Sequence, residues 1–328
     1  LVGRLVGAGA QVAILTRDPR RAADLWPGLG IELRRADLTD PSTLRGLLDA
    51  IDTVFHLASH SPSPGEPAIY EAPAHWPVTA LGTRHLVAAA SAGKVRSLVY
   101  VSSVMAMGDA AGARGEPADE RIEPRPETLY GRAKLAAERS VLAGGSGRPG
   151  HAVVVRLPMV YGLDGQGNVA RLIDAVARRR FPPWPRIANR RSAIHVDDAV
   201  AAVLRAAQAP PAAGQVYLVT DGHAYSTRGL YEQIQAALDR AVPGWSVPLW
   251  GLEAVAALGS VAERLAGVAM PLTRAGLSKL TGDAWYCSDK ICRELGFAAR
   301  YSLAQEIPTL VRRYLEARAM PGNSVPPR

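Results

Sequence analysis

Cysteine is nearly absent: Cys287 and Cys292 are the only two in 328 residues. Their spacing of five matches neither a CxxC redox pair nor a zinc knuckle, and reduced thiols in the cytoplasm are the expectation. Lysine is scarce too, so the net charge of +8 is carried mainly by arginine, including Arg178, Arg179, Arg180, Arg190 and Arg191. No helix-turn-helix, finger or RNA-binding motif accompanies that charge. This argues against a nucleic-acid partner and leaves nucleotide phosphates as a target for some guanidiniums. The longest apolar stretch, Val247 to Leu272, is interrupted by Glu253, Glu263, Arg264, Pro248 and Pro271. It predicts an amphipathic core helix and no membrane span. The chain opens at Leu1 with no methionine, basic n-region or cleavage site, so no secretory signal is legible. There is no internal repeat.

What is present is a chain long enough for about two domains, with 48% hydrophobic residues to bury. Val12–Leu15, Thr53–Ala58, Leu98–Ser102 and Val153–Leu157 are near-continuous apolar runs, as strands buried on both faces of a parallel sheet require. Helical patterns, such as Thr79–Ala92 and Leu129–Leu142, separate them. The alternation predicts an α/β class with a doubly wound parallel sheet and a smaller, interleaved substrate domain. Two later runs, Ala193–Val196 and Val216–Thr220, read as strands returning to the main sheet. Residues 1–162 plus about 193–220 would then form a dinucleotide-binding domain, and 163–192 plus 221–328 a substrate domain. The loop from Asp109 to Thr128 is a candidate lid or substrate contact.

The strongest local signal is Tyr130-Gly131-Arg132-Ala133-Lys134, whose spacing of four sets phenol and ammonium on one helical face. A cationic neighbour would favour the phenolate and let the tyrosine exchange a proton. The plainer reading is a solvated helix face. Leu98–Ser103 reads as a strand ending in two serines. Ligands collect at the carboxyl ends of parallel strands, so Ser103 is a candidate to orient a reacting hydroxyl or carbonyl. The alternative is a structural serine.

Upstream, Thr16 and Arg17 stand where an acid would hold the 2′-hydroxyl of NAD, and Arg17 suits the 2′-phosphate of NADP better. Asp37 and Leu38 would flank the adenine, and Leu57 and Ala58 the ring-side pyrophosphate. His56 reads as a satisfied core imidazole. His195-Val196-Asp197-Asp198 could hold a metal by residue type, but it reads as a strand entering a helix with an acidic first turn, and capping is favoured over metal.

In chain order ADLTD, VFHLAS, LGTRHL, VYVSSVMAMG, YGRAK, RLPMVYG, HVDDAV and SDKICRELGF together resemble the extended short-chain dehydrogenase family, the NAD-dependent epimerase/dehydratases. The resemblance implies Ser103, Tyr130 and Lys134 as the catalytic trio, with Lys134 also holding the nicotinamide ribose. It further implies Pro158 beside the cofactor, and residues 156–162 lining the substrate side with Tyr161 and Arg191 as contacts. A cytoplasmic homodimer is expected on the same basis. SSVMAMG, ANRRSAIHVDD and VTDGHAYST are most similar to a nucleotide-sugar epimerase branch, whereas Val104 and Met105 replace the Asp-Glu pair of a 4,6-dehydratase. The implied function is epimerisation of a nucleotide sugar through a keto intermediate. A ketone, aldehyde or steroid-alcohol reductase using NADPH is the alternative, and a non-catalytic nucleotide-binding protein the third reading. Thr79 replaces the usual asparagine before the GT pair, and Met107 the usual tyrosine. The first strand and glycine-rich loop of the dinucleotide fold are missing before Leu1, which suggests an N-terminally truncated sequence. Gly7-Ala8-Gly9 is read as a helix C-terminal turn instead.

Overall fold

The computed structural model describes residues 1–62, 69–113, 115–145, 151–163, 167–266 and 270–319. The chain runs α1 (Val2–Gly7), β1 (Ala13–Thr16), α2 (Pro19–Leu25), β2 (Glu32–Arg35), β3 (Thr53–His56), α3 (Gly82–Ala92), β4 (Ser97–Ser103), α4 (Leu129–Gly145), β5 (His151–Leu157) and β6 (Met159–Tyr161). It continues through α5 (Asn168–Ala177), β7 (Ala193–His195), α6 (Val196–Gln208), β8 (Val216–Leu218), α7 (Thr227–Ala237), α8 (Leu249–Ala266), α9 (Arg274–Thr281), α10 (Asp289–Leu295) and α11 (Leu303–Ala319).

Every strand pair is parallel, and β3-β4-β5-β8 make the main sheet. Successive side chains of a strand point to opposite faces. Val99, Val153 and Val155 accordingly pack against Ala199, Ala202, Val203 and Ala206 of α6. Leu98, Tyr100, Ala152 and Val154 pack against Ala137 and Val141 of α4. Helices on both faces explain the unbroken apolar runs of β4 and β5 and make the layer structure doubly wound, as expected.

β1 and β2 form a separate parallel pair. Leu15 of β1 and Val54 of β3 share one cluster with Leu38, Leu48, Ile51 and Leu86, but β1 and β3 belong to different sheets and no strand of the described residues joins them. Gly7-Ala8-Gly9 is a helix end: Gly9 has φ +77° and its N–H donates to Val6 O at 2.9 Å, the left-handed stop that glycine allows without a Cβ penalty.

β8 returns to the main sheet beside β5, but β7 does not. It pairs with β6 instead. Pro158 interrupts the run between β5 and β6 and carries no N–H to continue the ladder, so the chain leaves the sheet there and takes β7 as its own partner.

α5, α7, α8, α9 and α11 surround a second core with Tyr161, Trp184, Ile234, Leu252, Leu277 and Ile307 at its centre. The run from Val247 to Leu272, of which residues 267–269 lie outside the described ones, is only half a core helix. Leu252 and Ala256 of α8 face inward, whereas its opposite apolar face is exposed. No helix among the described residues is long and apolar enough to cross a membrane.

Candidate active site

The site lies where β4 ends. Ser103 is its last residue and leads into a 3₁₀ turn, Val104–Ala106, whose Met105 N–H donates to Ser103 Oγ at 3.2 Å. α4 begins against that turn. Its Gly131 is so close that a Cβ there would strike Met105 O and come within 2.9 Å of Pro126 Cβ. Glycine at this position thus lets Tyr130 approach the strand end. The helix start is fixed from the other side: Tyr130 N–H donates to Tyr70 O at 2.9 Å, Leu129 N–H to the Glu71 carboxylate at 3.3 Å, and Gly131 N–H to Thr128 Oγ1 at 3.1 Å. These caps satisfy donors that a helix leaves unpaired.

The result brings the three expected residues together. Ser103 lies close enough to the Tyr130 phenol for its hydroxyl to favour the phenolate. Lys134, one turn along, is buried, with its Nζ 5.9 Å from the Tyr130 ring centre, 5.0 Å from that of Tyr100, and donating to Val101 O at 3.1 Å. One electrostatic expectation is corrected. Burial raises the phenol's pKa above its ordinary value, and the neighbouring Ser103 hydroxyl only partly offsets this. The ammonium donates to a main-chain carbonyl, and burial sets the direction of the phenol's shift. The ammonium's own pKa is pushed down by burial to about 8, against a raising influence of Glu138.

Behind the trio sits a group that the sequence did not single out. Glu138, two turns from Tyr130, forms a buried ion pair with Arg156 (Nη2–Oε2 2.7 Å, Nε–Oε1 3.0 Å) and accepts from Ser102 Oγ at 2.5 Å. Arg156 therefore braces α4 to β5 and does not line the substrate side. The signal for Glu138 was there in the continuation of the Tyr-x₃-Lys spacing to a third residue.

Other expected residues are placed as follows. Tyr161 is 3% exposed, within 3.4 Å of Asp221 Oδ2, and packed on His195; it is a core residue and not an open substrate contact. Arg191 donates to Lys279 O and Gly282 O, and its burial lowers its pKa. Arg190 grips Asp283 at 2.7 Å and stacks on Trp285. Lys279 reaches both oxygens of Asp109 at 2.5 and 2.6 Å, over the Tyr70 ring. Asp109 opens the predicted lid loop, of which residue 114 lies outside the described ones. Ala118 further ties it to Trp285 O and Cys287 N at 2.9 and 2.8 Å.

On the nucleotide side Arg17 is exposed beside Asp37, whose carboxyl is held down mainly by bonds from Thr39 and slightly by Arg17. Leu38 packs under Gly82 of α3, where a Cβ would come within 2.9 Å of it. Leu57 and Ala58 are exposed just past β3, and Pro158 is partly buried between β5 and β6.

His56 is a core imidazole, bonded to Thr83 Oγ1 at 2.8 Å. His195 caps α6 through Nδ1, accepting from Asp197 N–H at 3.2 Å, while Asp198 accepts from Arg300 and Tyr301 N–H. Thr79 is buried in a π-helical turn, Trp76–Leu81, and its hydroxyl holds His60 N–H at 3.1 Å and Ser59 Oγ at 3.0 Å. Met107 is core.

The donor set fits the two ends of a nicotinamide dinucleotide. A buried ammonium with three protons has one acceptor, Val101 O, among the described residues, which leaves donors for a ribose. Arg17, exposed past the end of β1, is a second cation free of a salt bridge among the described residues. No glycine-rich backbone cradle for a pyrophosphate lies among the described residues.

Comparison with known proteins agrees with this geometry. Residues 1–220 match the model of the NAD dependent epimerase/dehydratase family. The chain belongs to this family. It is 27% identical over 313 residues, 94% of this chain and 91% of the relative, to 4-hydroxy-2-methyl-3-oxo-4-farnesyl-3,4-dihydroquinoline-1-oxide ketoreductase of Stigmatella aurantiaca. A shorter match, 31% over 176 residues and 53% of each chain, is to UDP-glucose 4-epimerase of Vibrio cholerae. The fold is shared with the UDP-glucose 4-epimerase of Thermus thermophilus in complex with NAD, at TM-score 0.71 and 20% identity over 96% of this chain and 94% of that one. The protein is an enzyme of the nicotinamide-dependent oxidoreductase type.

Proposed function

We propose that the protein is a ketoreductase that interconverts a ketone and a secondary alcohol, with Ser103, Tyr130 and Lys134 as its catalytic residues. The carrying observation is that the end of β4 and the start of α4 bring Ser103, Tyr130 and the buried Lys134 together. A bound nicotinamide supplies or accepts the hydride. Ser103 orients the substrate oxygen, and Tyr130 delivers its proton to that oxygen as negative charge develops on it. A phenol kept protonated by burial is already in the form that reduction needs. Lys134 holds the nicotinamide ribose and its ammonium stabilises the phenolate left behind. Residues 1–162 with about 193–220 carry the cofactor, and 163–192 with 221–328 the substrate. Arg17 favours NADP.

The substrate reading rests on where the cations are spent. Arg190, Arg191 and Lys279 all hold internal partners, which leaves them poorly placed to grip a nucleotide diphosphate, and the ketoreductase of Stigmatella aurantiaca aligns over nearly its whole length. Epimerisation of a nucleotide sugar through a keto intermediate is the second reading, favoured by the match to the Vibrio cholerae epimerase. Incubating the purified protein with NADPH and a panel of ketones, and separately with UDP-hexoses, separates them. Stoichiometric loss of NADPH with a ketone is expected. Epimer formation from a UDP-hexose without net cofactor consumption would overturn the ketoreductase assignment.

A further inference from the structure

Lys279, in the last turn of α9, reaches from the second core to the end of β4. Its ammonium meets Asp109 Oδ1 at 2.5 Å, Asp109 Oδ2 at 2.6 Å and Met105 Sδ at 3.6 Å, so its three protons have three acceptors. It also lies 5.4 Å from the centre of the Tyr70 ring. Two of these neighbours hold the catalytic hydroxyls. Met105 N–H donates to Ser103 Oγ at 3.2 Å. Tyr70 O accepts from Tyr130 N–H at 2.9 Å, and the two tyrosine rings are 6.0 Å apart. One ammonium from α9 thus touches the residue that holds Ser103 and the residue that holds Tyr130.

Both ends of this contact are fixed. The carbonyls that end α9 are bound by side chains of other segments: Leu280 O accepts from Asn189 Nδ2 at 3.1 Å and from Thr227 Oγ1 at 2.6 Å, and Arg191 donates to Lys279 O and Gly282 O. Asn189 and Thr227 are buried. On the other side Asp109 N–H donates to Glu127 Oε2 at 2.9 Å, and Gly108, at φ +92°, lies so close to Arg125 O that a Cβ would strike it. Two held backbones are joined by one side-chain pair. That pair is partly exposed, with 23% of the Lys279 side chain and 51% of the Asp109 side chain accessible. An ion pair so open to water contributes little to stability. Its effect falls instead on the catalytic residues, where a displacement of about 1 Å costs as much as a hundredfold in rate.

We propose that Lys279 is a positioning residue: paired with Asp109, it holds Met105 and Tyr70 in place and so sets Ser103 and Tyr130 for the substrate oxygen. The proposal rests on the roles given to Ser103 and Tyr130 above, and its test tells the two apart.

Amide hydrogen exchange and steady-state kinetics of the whole chain make that test. In Lys279→Met the amides of Met105 and Tyr130 are expected to exchange about threefold to fivefold faster, while that of Leu277, bonded to Thr273 O within α9, keeps its rate. With NADPH and a ketone, Lys279→Met and Asp109→Asn should each lower kcat/KM for the ketone roughly tenfold and leave the KM for NADPH within about twofold. The double variant Lys279→Met/Asp109→Asn should be no worse than either single one, because the two side chains act as a unit. Lys279→Arg, which keeps the charge, should recover most of the loss. Unchanged exchange at Met105 and Tyr130, a kcat/KM within about twofold of the wild type in either single variant, or losses that multiply in the double variant each overturn the proposal. A wild type that turns over no ketone counts against the reductase reading alone, and the exchange rates then decide whether Lys279 positions the two residues.

Discussion

Glu138 and Arg156 meet in an ion pair that is almost wholly buried, with Nη2 and Oε2 2.7 Å apart, on the far side of Lys134 from Tyr130. Tyr130, Lys134 and Glu138 stand one helical turn apart in succession, so proton donor, ammonium and carboxylate form a line along α4, anchored to β5 by Arg156. Removing one partner of a buried pair leaves the other charge uncompensated, which costs about 3–5 kcal/mol. Glu138→Gln is therefore expected to lower the unfolding free energy by about that amount, measured by urea titration. Loss of under 1 kcal/mol would show that the pair is not holding the helix to the sheet.

Lys134 predicts a pH dependence of stability. Its folded pKa of about 8 lies below the ordinary 10.5, mainly through burial. Between those values the unfolded chain binds a proton that the folded one does not, so stability rises with pH through this window, and the penalty is full below pH 8. The difference corresponds to about 3 kcal/mol. Lys134→Met should thus be more stable than the wild type at pH 7 by up to about that amount, with the gap closing towards pH 10.5, while turnover is lost. Denaturant midpoints at pH 7, 9 and 10.5 check the sign.

The parts of the site legible in the sequence were the local ones. The Tyr130–Lys134 spacing and the serine ending β4 need only helix and strand periodicity, and both landed where expected. Sequence pattern names residue types but not their distant partners. Arg156 reads equally well as a substrate contact or as the partner of Glu138, and only the pairing of β4 with β5 beside α4 decides it. Tyr161 and Arg191 likewise find Asp221, Lys279 and Gly282 far along the chain. The strand β7 was recognisable as a strand, but Pro158 set its pairing. The charge state of Tyr130 depends on burial, which spacing cannot express.

His56 predicts acid sensitivity. Burial pushes its pKa from 6.5 to about 3, helped slightly by the Lys134 charge. Below pH 6.5 the unfolded chain takes up a proton that the folded chain refuses until about pH 3. Stability falls as pH drops across that window, by up to about 1.4 kcal/mol per pH unit from this residue. His56→Asn should flatten the stability-versus-pH curve between pH 6 and 4 by one proton. An unchanged slope would assign acid lability to other groups.

Tyr130→Phe keeps the ring, its packing against His75 at 5.0 Å and its backbone bond to Tyr70, and deletes only the hydroxyl that carries the proton. General acid catalysis contributes about 10²–10⁴ in rate, so kcat should fall by that factor with the thermal midpoint almost unmoved. Retention of full turnover would remove Tyr130 from the reaction.

Arg17 is exposed just past the end of β1, with no salt bridge among the described residues and Asp37 near enough to sense its charge. A guanidinium so placed is free to meet a 2′-phosphate, and a charge-assisted hydrogen bond contributes about 1.5–3 kcal/mol. Arg17→Ala should therefore raise the KM for NADPH roughly tenfold to a hundredfold and leave that for NADH within about twofold. Parallel initial-rate measurements with the two cofactors read the ratio directly. An equal change for both would place Arg17 away from the phosphate, since loss of a general structural contact affects either cofactor alike.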